Sequence, residues 1–213
     1  MNKSKLLPKS SHITIYVDVS GQHPQKTYIG AASFNTHLKN EIVKEFDKKF
    51  SEIKRKKGTQ LSPSECLKVL DFLNANNVVM RYTCIKNEIW ENFDKKYNQN
   101  SYWIAKIFGI YKFGLIDQIL KSGQFSDCHV IFCKDNFLRN HEKVTDICNE
   151  LKKANNYNFS TSTALQKGCY ELKFADYVAS SARKLSFSQL TKFTNLYFLE
   201  CPHNRFFSKI FKK

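Results

Sequence analysis

The sequence predicts an α/β fold in which a mixed sheet is flanked by helices, and three observations carry that expectation. The chain opens with two apolar segments joined by a short polar turn, then alternates helix-spaced with strand-like segments, and shows neither an internal repeat nor a clear linker. Residues 12–18 and "KTYIGAASFN" (26–35) flank the turn "SGQHPQ", a spacing that calls for an antiparallel hairpin. A weaker strand is expected at "FSEIK" (50–54). "SPSECLKVLDFLNANN" opens as a helix start and places Cys66, Val69, Leu70 and Phe72 or Leu73 on one apolar stripe. Further strands are expected at 78–86, 128–135 and, more weakly, 157–162, and further helices at 101–120, 142–153 and 169–184. The 101–120 segment is the most apolar long run, but Lys106, Lys112 and Asp117 interrupt it, whereas a membrane span needs ~20 largely uncharged residues. Ile104, Ile107, Phe108, Tyr111, Leu115 and Ile119 recur at helical spacing there, which predicts a soluble helix with one buried face.

The chain has 213 residues, 42% of them hydrophobic, enough for one sizeable core. Its organisation is expected to be a basic segment over 1–11, a folded domain over 12–185 and a basic aromatic extension over 186–213. With 34 Lys and Arg against 19 Asp and Glu, the net charge of +15 points to a polyanionic partner, nucleic acid before an anionic membrane, although biased composition alone would also produce it. Seven cysteines without a Cys-x-x-Cys pair suggest reduced thiols in an intracellular, cytoplasmic setting, and "MNKSKLLPKSSH" lacks the apolar core of a secretory signal. The oligomeric state is not legible.

Three aspartates stand out by position. Alternation along the first strand puts Ile13, Ile15 and Val17 on one face and Thr14, Tyr16 and Asp18 on the other, so Asp18 ends the strand on its less apolar side. Asp135 follows the apolar run "HVIFC" after one lysine, and Asp176 lies beside the stripe Leu172, Ala175, Ala179 and Ala182 of the last helix. Each has an ordinary explanation: strand-end turn chemistry for Asp18, a cap for Asp135, a solvated helix face for Asp176. Together, in a strongly basic chain, they suggest oxygen ligands for a hard divalent cation and metal-assisted phosphoryl chemistry. None of the six histidines forms a zinc-like pattern, and His129 reads as structural. The terminal "CPHNRFFSKIFKK" mixes aromatics with cations, suiting either a short packed amphipathic helix or single-stranded nucleic acid.

In order along the chain, "IYVDVSG", "YIGAASF", "EIKRKKGTQLSPSECLKVLDFL", "VIFCKD" and "ELKFADYVASSARK" resemble the ribonuclease H-like family catalogued as domain of unknown function 3800, over roughly residues 12–185. That family shows Asp-Glu-Ser-Gly at its first strand, Glu-x-Lys ahead of a helix, a mid-chain strand ending in Asp, and Leu-Gln-x-Ala-Asp on a late helix. Matched position by position, Asp18, Glu52, Asp135 and Asp176 are its acidic positions. Val19 stands where the family has Glu, and Lys173 where it has Gln.

The resemblance implies a ribonuclease H-like fold whose four carboxylates bind two Mg2+ or Mn2+ ions and hydrolyse phosphodiester bonds of RNA, DNA or a hybrid. Lys54, Arg55, Lys56, Lys57, Lys173, Arg183 and Lys184, near these positions in sequence, are the expected phosphate contacts, with a solvated turn and helix end as the plainer reading. The altered Asp-Val-Ser-Gly keeps two other classes open: a non-catalytic nucleic-acid-binding module on the same scaffold, or a basic assembly subunit that meets an acidic partner.

Overall fold

Strand β1 (Ile13–Ser20) and strand β2 (Thr27–Asn35) pair antiparallel, with Ile13 opposite Asn35 and Asp18 opposite Gly30, as the hairpin reading expects. The computed structural model of the protein describes residues 12–20, 27–85, 128–133 and 160–198. The expected helices at 101–120 and 142–153, most of the hairpin turn, Asp135 and both chain ends lie outside them. β3 (Val79–Ile85) adds antiparallel to β2, while β4 (Cys128–Cys133) adds parallel to β1 and β5 (Ser160–Ala164) parallel to β4. β6 (Leu196–Phe198), within the stretch read as an extension, pairs parallel with β3. The six-stranded sheet runs β5-β4-β1-β2-β3-β6.

Helix α1 (Lys39–Lys49) is not among the expected elements, although Ile42 and Phe46 stand four residues apart and are both buried. Helix α2 (Pro63–Ala75) begins as its sequence says: the Ser62 side chain accepts the Glu65 N–H, and Glu65 accepts the Ser62 N–H at 2.8 Å. The strand expected at 50–54 is instead a short 3-10 turn, Ile53–Arg55. Phe50 stacks on Phe46 and Phe72 while Ile53 is buried, so the apolar residues are three apart, a helical and not a strand spacing. Helix α3 (Leu172–Lys184) starts three residues later than expected, after a turn at 169–171. A four-residue helix, α4 (Phe187–Leu190), precedes β6.

One face of the sheet forms the main core. Tyr16, Ala32, Phe34, Met80 and Tyr82 meet Phe174, Ala175, Tyr177 and Val178 of α3, with Ile42 and Phe46 of α1 and Cys66, Val69, Leu70 and Leu73 of α2 in the same cluster. The Phe46 and Phe174 rings lie 5.0 Å apart edge to face, a pairing that adds about 1 kcal/mol beyond area burial. α3 is buried from Phe174 through Ala182, the signature of a helix enclosed on all sides. Across β4 and β5, His129 bonds through its two ring nitrogens to the Ser160 and Ser162 hydroxyls, which supports its structural reading.

The closest approach is at Gly30. A Cβ there would lie 2.3 Å from the Ala179 amide nitrogen and 2.5 Å from the Ala175 carbonyl oxygen, so backbone would have to move. Gly30→Ala is therefore expected to destabilise the protein by about 3 kcal/mol, read as a lowered midpoint in urea unfolding; a cost below about 0.5 kcal/mol would show that α3 does not sit this close.

Candidate functional site

β1 carries Asp18 to within two residues of its end, and α3 carries Asp176 over the same face of the sheet. Gly30, opposite Asp18 in the ladder, is the residue on which Ala175 and Ala179 rest, so Asp18 and Asp176 approach each other because the surrounding side chains are small or absent. Ser20 and Ser180 join the two elements directly with a buried hydroxyl–hydroxyl bond of 3.2 Å. The face that alternation marked as less apolar is not solvated. It lies under α3, and Tyr16, Asp18 and Asp176 are 1%, 5% and 6% exposed. Alternation identifies the solvent side only in a strand with one covered face, and β1 is buried on both.

The two carboxylates have different partners. Asp18 accepts the Val19 N–H on Oδ1 at 2.7 Å and the Gln166 carboxamide N–H on Oδ2 at 2.5 Å. Asp176 accepts the Gly58 N–H on Oδ2 at 2.7 Å and the Ser180 hydroxyl on Oδ1 at 3.3 Å. Burial, and next the negative charge of Asp176, push the Asp18 carboxyl up to about 7 against the hydrogen bonds that favour its ionised form. Two acids confined together in the interior at neutral pH form an arrangement that only a proton or a cation relieves.

The residues that complete this neighbourhood do not stand out in the sequence. Gly58 follows the run "KRKK", and an isolated glycine after four cations is a signal of close backbone approach: a Cβ there would lie 2.6 Å from Asp176 Oδ1. Gln166, Ser20 and Ser180 carry no such signal, since their roles depend on partners 148 and 160 residues away in sequence.

Glu52 is elsewhere. Its neighbour Ile53 is anchored in the core, and Glu52 itself is exposed, lining a surface cleft with Glu45, Lys49, Lys68 and Asp71. The structure thus brings together Asp18 and Asp176, does not bring Glu52 to them, and Asp135 lies outside the described residues. Among the described residues, no group of three or more His, Cys, Asp or Glu is arranged to hold a metal ion.

The expected phosphate-contacting cations divide into two sets. Lys173 donates to the Lys54 carbonyl at 2.6 Å and lies over the Tyr170 ring. Lys184 donates to the carbonyls of Gly58, Thr59 and Leu61. Lys56 pairs with Glu65 at 2.6 Å and Lys54 with Asp47 at 3.6 Å. Arg55, Lys57 and Arg183 are exposed. Among the described residues no helix is long and apolar enough to cross a membrane.

No family model matches the sequence, and no curated protein is similar to it in sequence. Solved structures are similar in shape. The ribonuclease H2 of Pyrococcus horikoshii OT3 superposes with a TM-score of 0.55 at 12% identity, over 84% of this chain and 76% of that one. A mutant form of Bst-RNase HIII superposes with a TM-score of 0.50 at 13% identity, over 87% of this chain; the match spans about half of that longer protein, 55%. At such identities the likeness concerns architecture alone, and with the six-stranded mixed sheet and its helices it establishes that this chain has a ribonuclease H-like fold.

Proposed function

We propose that this protein is a metal-dependent nuclease of the ribonuclease H-like family catalogued as domain of unknown function 3800, hydrolysing phosphodiester bonds of nucleic acid with Asp18 and Asp176 as metal-holding carboxylates. The observation that carries the reading is the buried pair itself: two acids from distant parts of the chain, near enough for the charge of Asp176 to act on Asp18, whose carboxyl burial and that charge push up to about 7. The similar folds are named as ribonucleases, which supports the same reaction class.

The residues present fit a hard cation. They offer anionic oxygen alone, and their mutual repulsion is what a divalent ion relieves. Asp135 is the proposed third ligand; Glu52, exposed at its cleft, is not included. A pair of Mg2+ or Mn2+ ions bound there would supply an activated water and a stabilised leaving oxygen. The protein's own groups do the rest. Gln166 and the Gly58 N–H each hold one carboxylate oxygen in place, fixing the orientation of both acids. The Asp18 proton would be displaced by a cation loaded there, so affinity would rise with pH. The exposed Arg55, Lys57 and Arg183 are proposed to hold the substrate backbone.

One observation favours the binding-module reading instead: Val19 replaces a family carboxylate, and both described acids already accept donors from the protein. Cleavage decides. Labelled single-stranded, double-stranded and hybrid RNA and DNA are incubated with the protein in Mg2+, Mn2+ or chelator. Cleavage is expected to require metal and to fall about 100-fold or more in Asp18→Asn and in Asp176→Asn. Salt-sensitive binding without cleavage, equal in all three proteins, would instead establish a binding module.

The raised carboxyl makes a second, independent prediction about stability in chelator. An unfolded Asp loses its proton near its ordinary value of 3.8, whereas folded Asp18 keeps it up to about 7. Between these values the native state binds more protons, so the contribution of Asp18 is full below the lower pH and is lost as pH rises through 7. Asp18→Asn should remove that loss, on the order of 4 kcal/mol at most, flattening the dependence of the urea midpoint on pH between about 4 and 8. Identical slopes in the two proteins would mean that Asp18 titrates normally.

A further inference from the structure

Three aromatic rings form a row on the α3 face of the sheet, on the side away from β5. Phe198 of β6 stands beside Tyr82 of β3, Tyr82 opposite Gly30, and Gly30 opposite Asp18, so the four occupy one rung across four strands. Gly30 meets α3, and residues directly opposite in a ladder share a face. The Tyr82 and Phe198 ring centres are 5.2 Å apart, and Phe187 of α4 stands edge-on to Phe198 at 6.4 Å. Tyr82 is buried, but Phe198 is 46% and Phe187 64% exposed, so the row ends in two contacting rings open to solvent.

A single exposed apolar residue is ordinary, whereas two large rings in contact at a sheet edge make a patch that calls for an occupant. The charge beside it names the class. Arg183, in the last turn of α3 and four residues before Phe187, is exposed and makes no ion pair among the described residues. Half-buried Tyr28 stands opposite Cys84, one row along from Tyr82 on the same face. Burial and then the Cys84 thiol raise the Tyr28 hydroxyl, and the positive charge of Arg183 opposes them, which puts Arg183 beside the same strands. Exposed rings and a guanidinium, in a chain of net charge +15, disfavour a basic partner and suit bases stacked on aromatic faces with a phosphate on the cation. In a duplex the base faces are already taken up by neighbouring bases, so the fitting ligand is single-stranded.

We propose that Phe187, Phe198 and Arg183 form a docking platform for a single-stranded segment of nucleic acid, the two phenylalanines stacking on bases and the arginine holding a phosphate. Neighbouring strands stand about 4.8 Å apart, so Phe198 lies about 14 Å from Asp18 along the rung, and the platform holds the strand at a distance from the acids. The inference rests on the nuclease reading for the role of the platform, which is to orient a substrate strand, and not for its binding, which needs neither metal nor the acidic pair.

The test uses the full chain in chelator, so that no metal-dependent cleavage occurs, and reads the fluorescence anisotropy of labelled probes over a salt series. The probes are a single-stranded oligonucleotide, the same strand made abasic throughout, and a duplex of equal phosphate number. At high salt, where the +15 charge is screened, the intact strand should bind about tenfold more tightly than either of the others. Phe187→Ala and Phe198→Leu should weaken the intact strand about tenfold, leave the abasic strand unchanged and keep the same salt slope, and Phe187→Tyr should bind as the parent does. Arg183→Gln should weaken both strands and reduce the slope of log affinity against log salt by about 0.7. Equal affinity of the parent for intact and abasic strands, a comparison that needs no variant to fold, overturns the proposal. So does a change in the sedimentation of Phe187→Ala with strand binding unaltered, which would show that a second copy of this chain occupies the patch. Metal-dependent cleavage without base-dependent binding would sink the platform alone, and base-dependent binding without cleavage in Mg2+ or Mn2+ would sink the nuclease reading alone.

Discussion

The contact on which the rest depends is that between the backbone of α3 and the bare α-carbon of Gly30. A helix over a sheet ordinarily stands off by the length of two side chains; here Ala175, Ala179 and Gly30 remove most of that length at one point. Everything near the point follows from it. Asp176 is pressed against the sheet instead of facing solvent, Ser180 reaches Ser20, and Asp18 meets a second negative charge in the buried interior. A single β-carbon at residue 30 would lift α3 and separate the two acids together.

Part of the positive charge beside the acidic pair is structural. Lys173 and Lys184, on either side of Asp176 in the sequence, turn their ammonium groups to backbone carbonyls of the 54–61 segment and hold it on α3. Tyr177 adds its hydroxyl to the carbonyls of Ile53 and Lys56. The Gly58 N–H is delivered to Asp176 by that segment, so the lysines act on the acid through the loop and not by direct pairing. Net charge read from composition therefore overstates what these residues offer to a polyanion, and the exposed Arg55, Lys57 and Arg183 are the part left at the surface.

The hairpin, the alternation of later elements and the start of α2 are legible because each rests on local chemistry: a short turn, period-two burial, a Ser-Pro-Ser-Glu cap. The 50–54 segment departs from its expected strand for a local reason too, since Phe50 and Ile53 stand at three-residue spacing and a 3-10 turn directs both toward the core. Asp18 and Asp176 are marked in the sequence by their positions at a strand end and beside a small-residue stripe. Glu52 shows the limit. A motif match assigns a residue type to a place in the order of the chain, but whether the side chain turns inward is decided by its anchored neighbours, here Ile53. Gln166 is not legible as a site residue, because nothing local to it announces a carboxylate far away in the chain.

The same distances in sequence have a consequence for how the molecule comes into being. Gly58 and Asp176 are 118 residues apart, Asp18 and Gln166 are 148, and Ser20 and Ser180 are 160. Contacts of such separation close large loops and are among the slowest to form. On a ribosome, β1 and β2 emerge long before α3 exists, so the nascent chain carries Asp18 without its neighbour and without its raised proton affinity. The acidic pair is assembled only after α3 has been made, which withholds any chemistry it performs from every intermediate that ends before that helix.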